Sequence, residues 1–351
     1  MAVLFDMPPA GDYDHELGRT PTPTEHIKLF GPRLEKHCGS APVFVDAVRV
    51  DDARHSDGLR THPLTELLER GRLHGGRPCP VTSIDRSEGY QRAVERFCRH
   101  HPQLPIALRL SAPQFERPDL GIELSGLMAR LGCEPERVFL VIDFGAPDLD
   151  EEAVLPFAEL IAERLNELPN LYRWLNIAVL ATAFPENIRL KAGQSKRFCR
   201  LEWLVYQSLC NMSDKLLRRP IFGDYALEYP GRYVTGQAQP TAQFRYTNPR
   251  DYLVHKGKTT KKPNGYAVIR EVADQLVAEA EFKGPAYSLG DDFVTSLANR
   301  TGGTGNASTW RWAWTDHHLA TVLHGVRELL GLPAREELVT EHAEQLGLAG
   351  L

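Results

Sequence analysis

The stretch from Val138 to Leu180 limits the possible folds more than any other part of the chain. Val138-Phe139-Leu140-Val141-Ile142 is apolar at every residue and stops at Asp143-Phe144-Gly145. A strand with water on one face alternates, whereas a run apolar throughout suits a strand covered on both faces, as in a parallel sheet. A second such run, Asn176-Ile177-Ala178-Val179-Leu180, ends near Phe184-Pro185. Between them, across Asp150–Leu168, Val154, Phe157, Ala158, Ile161 and Leu165 recur at helical spacing. Asp150, Glu151 and Glu152 stand at the start of that helix, where its dipole favours negative charge, and Pro169-Asn170 ends it. Strand, helix and strand in this order form a right-handed βαβ unit.

The same alternation extends along the chain. Further strands are expected at His26–Gly31, Val43–Val48, Pro80–Asp85, Ile106–Leu110, Arg200–Val205 and Ile221–Ala226, and further helices at Glu88–His100 and Asp119–Leu131. About eight parallel strands predict an α/β fold of the TIM-barrel type, with an open doubly wound sheet as the alternative. The last third breaks the pattern. Gln243–Thr247 and Tyr252–Lys256 read as a hairpin around Asn248-Pro249-Arg250-Asp251. Helices are expected at Tyr266–Phe282, Asp291–Arg300 and His318–Leu330. Trp310, Trp312 and Trp314 alternate as on one face of a strand, the usual mark of core or interface. Residues 1–25, rich in Pro, Gly, Asp and Thr, read as a flexible arm. Residues 26–335 form one barrel-like domain that includes the hairpin and helices, and 336–351 a weakly ordered tail.

Composition narrows the function classes. The formal net charge of -5 is not that of a general nucleic-acid coat, which needs a basic surface. No apolar run is long enough for a membrane span, and the start of the chain lacks a signal-peptide pattern. The cysteines Cys38, Cys79, Cys98, Cys133, Cys199 and Cys210 are scattered, with no C-x-x-C pair to suggest zinc or redox chemistry. A cytoplasmic protein with reduced thiols is expected. No spacing matches a known metal motif, a cluster of strand-end carboxylates can still bind a divalent cation, and the sequence leaves the cofactor unknown.

In a parallel barrel, functional side chains gather where strands end. Asp46, Asp85, Arg109, Asp143, Glu202 and Asp224 hold such positions. Asp143 closes the most apolar strand and is the first candidate for a base. Arg109, on the neighbouring strand, either pairs with Asp143 or clamps a phosphate or carboxylate. Asp143, Glu202 and Asp224 at one end would form a carboxylate cluster able to split into an acid and a base. Arg245 and Lys256, with Lys258, Lys261 and Lys262, lie near Phe244, Tyr246 and Tyr252, a mixture that can hold an anionic nucleotide by charge and stacking. His317 and His318 are adjacent, so on a strand they face opposite sides and on a helix they diverge by about 100°, which makes them a poor chelate for one metal. One of them is a candidate acid–base group. Gly302-Gly303-Thr304-Gly305 lacks the ending of a phosphate loop.

Several segments together resemble a known family. They are Ile221-Phe222-Gly223-Asp224-Tyr225, Phe244-Arg245-Tyr246-Thr247, Tyr252-Leu253-Val254-His255-Lys256-Gly257, Tyr287-Ser288-Leu289-Gly290-Asp291-Asp292, and Trp310 through His317-His318. In order and spacing they resemble the beta protein family, named from a T-even phage protein and rich in bacterial members. The resemblance runs from about Pro32 onward and is strongest after Ile221; the Pro-rich start departs from the family's short lysine-bearing one. It implies a barrel-like α/β protein from phages or from bacterial regions near defence or toxin–antitoxin genes, with no assigned reaction. It also marks Tyr225, Arg245, Lys256 and Asp291 as ligand-binding candidates, and His317 and His318 as catalytic ones.

Two functions of different class follow. One is a binding protein in a phage-conflict setting, with a protein partner or an anionic, nucleotide-like ligand. The other is a barrel enzyme of hydrolase or phosphodiesterase type, using the strand-end carboxylates and a histidine on a phosphorylated ligand. The architecture hosts both.

Overall fold

Each strand of the main sheet pairs with the strand that precedes or follows it in the sheet-forming part of the chain, so the sheet winds in one direction only. The computed structural model describes residues 2–9, 14, 17–51, 59, 61–212, 214–231, 240–261 and 263–333. The main sheet holds β1 (Val3–Asp6), β2 (Pro42–Asp46), β3 (Arg77–Thr82), β4 (Ile106–Ser111), β5 (Val138–Gly145), β6 (Asn176–Ala181) and β8 (Ile221–Gly223). Their order is β1-β2-β3-β4-β5-β6-β8, and every pairing is parallel. A doubly wound sheet reverses its order at a switch point. This one does not, and its seven strands curl into a half-barrel.

The strands are joined by α1 (Pro23–Cys38), α2 (Pro63–Leu73), α3 (Glu88–His100), α4 (Ala112–Phe115), α5 (Leu120–Leu131), α6 (Val154–Asn166) and α7 (Leu201–Asn211). At the centre, Val138, Leu140 and Ile142 are fully buried, as are Ile106, Leu108 and Leu110 beside them. Each such side chain contributes about 1.5–3 kcal/mol by leaving water. Pro78 and Pro80 lie within β3. Proline cannot donate to a ladder, and β3 pairs with β4 only past them, at Val81 and Thr82.

Part of the expected layout is corrected. The strand expected at His26–Gly31 is helix α1. Thr22 and Glu25 form a reciprocal capping box with a proline at the first helical turn. Ile27, Phe30 and Leu34 then point into the core at helical spacing. Arg200–Val205 is likewise helical, because Trp203, Tyr206 and Cys210, and again Val205 and Leu209, recur every three to four residues on the buried side of α7. The arm expected at 1–25 supplies β1, whose residues pair with Val43–Asp46. The tail expected at 336–351 and Lys262 lie outside the described residues.

A smaller antiparallel sheet has the order β7-β10-β9, from β7 (Gln194–Cys199), β9 (Thr241–Thr247) and β10 (Asp251–Thr259). It packs with α8 (Ile269–Val277), α9 (Leu289–Ala298) and α10 (Ala307–Leu329) around a second apolar core that includes Phe244, Leu253, Ile269, Leu297 and Trp310. The tryptophans lie on α10 and not on a strand. Trp310 and Trp314, four residues apart, are buried, and Trp312 is exposed. Gly290 at the start of α9 touches α10 so closely that a Cβ there would sit 2.0 Å from the Ala313 carbonyl oxygen. Among the described residues no helix is long and apolar enough to cross a membrane.

Candidate functional site

The parallel register fixes which strand-end side chains share the concave face. Asp6 lies opposite Asp46 across β1 and β2, and Arg109 and Asp143 fall on the same face of β4 and β5. Asp143 lies two residues before the end of β5, at a register shift, and Gly145 adopts a φ of 64° and donates its N–H to Asp143 Oδ1 at 2.8 Å. A positive φ there is a glycine position.

Arg109 is the hub of this end. Its Nε and Nη2 reach Asp143 Oδ2 at 2.7 and 2.6 Å, and its Nη1 reaches Asp46 Oδ2 at 3.1 Å. Arg86 Nη2 also holds Asp46, at 2.7 Å. Arg49 approaches Asp6 at 3.4 Å. Among the described residues the guanidinium groups of Arg49, Arg86 and Arg109 thus stand against the carboxylates of Asp6, Asp46 and Asp143. Tyr225, two residues past β8, lays its hydroxyl over the pair. It donates to Asp143 at 2.6 Å and accepts from Arg109 Nη2 at 3.1 Å. Burial, and then the Asp143 charge, push the Tyr225 phenol far above its usual range, so it remains a donor.

Tyr225 belongs to a segment that crosses the mouth. Pro230 lies 3.9 Å from where a Gly145 side chain would begin, and Arg49 lies 3.5 Å from the same point on Gly231. Leu227 is buried, and its carbonyl accepts from Arg245. Ala226 and Leu227 have φ of 48° and 68°. Left-handed backbone at two consecutive side-chain-bearing residues costs on the order of 1–3 kcal/mol each and is held only when its surroundings fix it.

Asp224, next to Tyr225, faces the other way. Its Oδ2 meets His318 Nε2 at 2.7 Å, and His318 Nδ1 meets Thr247 Oγ1 at 2.9 Å. Burial is the largest influence on Asp224 and raises it, but the charge and hydrogen bond of His318 and the Ala226 N–H outweigh burial and hold the carboxyl below its ordinary value. An Asp–His–Thr chain has the connectivity of a nucleophilic triad. Here Thr247 and His318 are 1% and 0% exposed, so no substrate reaches the hydroxyl, and the chain ties α10, β9 and the segment after β8 together. His317 turns to a different set: Asp291 Oδ2 at 2.8 Å, the Thr247 carbonyl at 2.9 Å, and the stacked Tyr246 ring at 3.7 Å. The carbonyl only accepts, so His317 Nε2 carries a proton. The adjacent histidines diverge, as their spacing on a helix requires.

Glu202 accepts from Tyr252 OH at 2.5 Å and from the Ala183 N–H at 3.0 Å, with Arg200 at 3.6 Å. Burial pushes its carboxyl up, against the Arg200 charge and the Tyr252 hydrogen bond. It lines a cavity of about 10 Å³ between α6, α7 and the outer face of the sheet, room for one water.

Asp143, Glu202 and Asp224 therefore do not form one carboxylate cluster, and Glu202 stands on α7, not at a strand end. Asp143 is held by Arg109, Glu202 by Tyr252 beside Arg200, and Asp224 by His318. Asp85, on the loop after β3, is held by Arg117 and Gln114. Arg245 lies between the rings of Phe184 and Trp314, at 4.7 and 4.8 Å, and binds the strap across the mouth. Lys256 stands on β10 opposite Gln194 of β7, and Phe244, Tyr246 and Tyr252 are buried, with no face left for a base to stack on. Asp291 fixes His317. Sequence reasoning missed Asp6, Arg49, Arg86, Arg200 and Thr247. Asp6 carried a usable signal, since it ends the apolar run Val3-Leu4-Phe5 as Asp143 ends its own. Among the described residues no group of three His, Cys, Asp or Glu side chains is placed to hold a metal ion.

Comparison with curated proteins finds no match. Comparison with family models gives one described as "Beta protein", matching residues 1–324. The match starts at the first residue, so the Pro-rich N-terminal segment expected to depart from the family is part of it. With the half-barrel, its polar mouth and the buried histidine ties all inside the matched span, the chain belongs to the beta protein family.

Proposed function

We propose that this chain is a binding protein whose ligand site is the C-terminal mouth of the half-barrel, over Arg109 and Asp143. The observation that carries the proposal is the Tyr225 hydroxyl, which fills a place that both accepts from a guanidinium and donates to a carboxylate. A ligand hydroxyl, such as that of a sugar or ribose, has the same hydrogen-bonding capacity. The pairing of Arg86 and Arg109 with Asp46 and Asp143 favours such a neutral polar group over a bare phosphate. The strained strap at Ala226–Leu227 supports the reading, because it can release Tyr225 at little cost when a ligand replaces it. The enzyme alternative has less support: Asp143 has its oxygens filled by Arg109, Tyr225 and the Gly145 N–H, and the Asp–His–Thr chain is sealed.

Isothermal titration with a panel of simple sugars, nucleosides and nucleoside monophosphates tests this. Saturable binding that weakens at least tenfold in Asp143→Asn, and is kept in Arg197→Gln on the distant small sheet, is the expected result. Equal binding by both variants removes the mouth as the site, and turnover of a probe during titration moves the reading to the enzyme. The phage-conflict role implied by the family resemblance belongs to the same proposal. It predicts that phage plating efficiency changes when the wild-type chain is expressed in a bacterial host and not when Asp143→Asn is.

A further inference from the structure

β7 is an edge strand of the small sheet, and among the described residues no strand lies on its outer side. The direction of its backbone groups follows from the ladder. Arg200 N–H bonds the Arg250 carbonyl, and Asn248 N–H bonds the Asp251 carbonyl. With the registers of β10 on β7 and on β9, the even residues of β7 therefore bond inward to β10, and Ser195 and Arg197 turn their N–H and C=O groups outward. Residues 194–197 are all exposed.

The side chains beside this edge carry an unusual charge. Gln194, Lys196, Val254 and Lys256 lie on one face, because Lys196 pairs with Val254 and Lys256 with Gln194, which makes the two lysines diagonal neighbours. Gly193 N–H bonds the Lys256 carbonyl and Gln194 N–H the Lys191 carbonyl, so the turn bearing Lys191 closes on Lys256. Arg189, Lys191 and Lys196 are exposed and Lys256 half-buried, and among the described residues none of the four makes an ion pair. Most other arginines of the half-barrel are paired. On the opposite face Arg197 is surrounded by Asp251, Glu279 and Glu281 at 3.0–3.2 Å. The edge is thus cationic on one face and acidic on the other.

We infer that β7 is the docking edge for an extended acidic segment of a partner protein, which adds as a fourth strand. Its carboxylates, at every second residue, face Lys191, Lys196 and Lys256. The intervening residues, neutral or basic, face the acidic side around Arg197. Outward main-chain groups of Ser195 and Arg197 supply the ladder, which only a polypeptide can complete. A second copy of the same edge is disfavoured, because it would bring lysines against lysines. The site is separate from the mouth and does not depend on the ligand proposed there.

The test uses the full chain and two labelled eight-residue peptides, one alternating Glu and Val and the other Lys and Val, read by fluorescence anisotropy. The expected result is saturable binding of the Glu peptide and none of the Lys peptide. Lys196→Glu with Lys256→Glu should weaken the Glu peptide at least tenfold and give binding of the Lys peptide. Ser195→Pro removes an outward donor that the native sheet does not use, and should weaken the Glu peptide several-fold with the lysines intact. Thermal unfolding of each variant checks that it is folded, and either set alone decides the point if the other fails to fold. Failure of the Glu peptide to bind, indifference to both sets, or equal binding of a DNA oligonucleotide carrying the same charge would overturn the inference.

Discussion

Replacing Arg109 with methionine tests whether the mouth is held by its central cation. The substitution keeps most of the volume and removes the contacts to Asp143 at 2.6 and 2.7 Å, to Asp46 at 3.1 Å and to the Tyr225 hydroxyl at 3.1 Å. Breaking a buried pair from one side costs about 3–5 kcal/mol, because the partner charge is left behind. Here neither partner is fully abandoned. Asp46 keeps Arg86 and the Val48 N–H, and Asp143 keeps Tyr225 and the Gly145 N–H. The cost should therefore fall at the low end, about 3 kcal/mol, or roughly 6–12 °C in Tm at about 2–4 °C per kcal/mol. Chemical and thermal denaturation at neutral pH measure it. Asp143→Asn and the double variant complete a cycle, and the two changes should couple by about 1–3 kcal/mol. A loss under about 1 kcal/mol for Arg109→Met, or strict additivity in the cycle, would refute the claim that these charges act as one unit.

Asp224, whose folded-state carboxyl lies below its unfolded value, contributes stability that is present above about pH 4 and is lost as pH falls through the folded value. The stability gap between the wild type and Asp224→Asn should accordingly narrow in acid denaturation below about pH 4. Glu202 has the opposite sign. Its folded-state carboxyl is raised, so the folded chain binds the extra proton, and its contribution declines as pH rises from about 4.3 through the folded value. Glu202→Gln should flatten that decline in a stability-versus-pH series. Gly290→Ala drives a methyl into the Ala313 carbonyl oxygen and should cost about 3 kcal/mol or more by denaturant unfolding, with α9 and α10 losing hydrogen-exchange protection together. Ala226→Gly relaxes one left-handed residue in the strap and should raise stability by up to about 1 kcal/mol, since the larger freedom of unfolded glycine offsets part of the gain.

What could be read from the sequence was the part written in local patterns. Runs apolar on every residue located β5 and β6, the strand and helix alternation located β4, and Arg109 and Asp143, near the ends of β4 and β5, proved to be neighbours in the mouth. Where local pattern and tertiary role diverged, the reading failed. His26–Gly31 looked like a short apolar strand, and only the Thr22–Glu25 capping box marked it as a helix. β7, the polar strand Gln194–Cys199, has no alternation because its first four residues face water on both sides. The site was harder for a related reason. Asp224 and Tyr225 are consecutive, and nothing in the sequence says that one turns to His318 and the other to Arg109. That choice is made by the left-handed turn at Ala226–Leu227 and by partners more than 80 residues away.

The two sheets differ in when their strands can find one another. In the half-barrel each new strand lies beside the one before it in the sheet, so β1 to β6 can accumulate in the order in which a ribosome delivers them. β7 cannot. Its partner β10 begins at Asp251, some 50 residues after Cys199, and β9 must be made first. At a synthesis rate of about 5–20 residues per second, β7 waits roughly 3–10 s with both sides open. Strands in that state are the usual point of entry for wrong pairing. The run of exposed polar and basic side chains from Gln194 to Arg197 is suited to that wait, because it stays soluble alone. The last-made hairpin then closes one side of β7 and leaves the other side free.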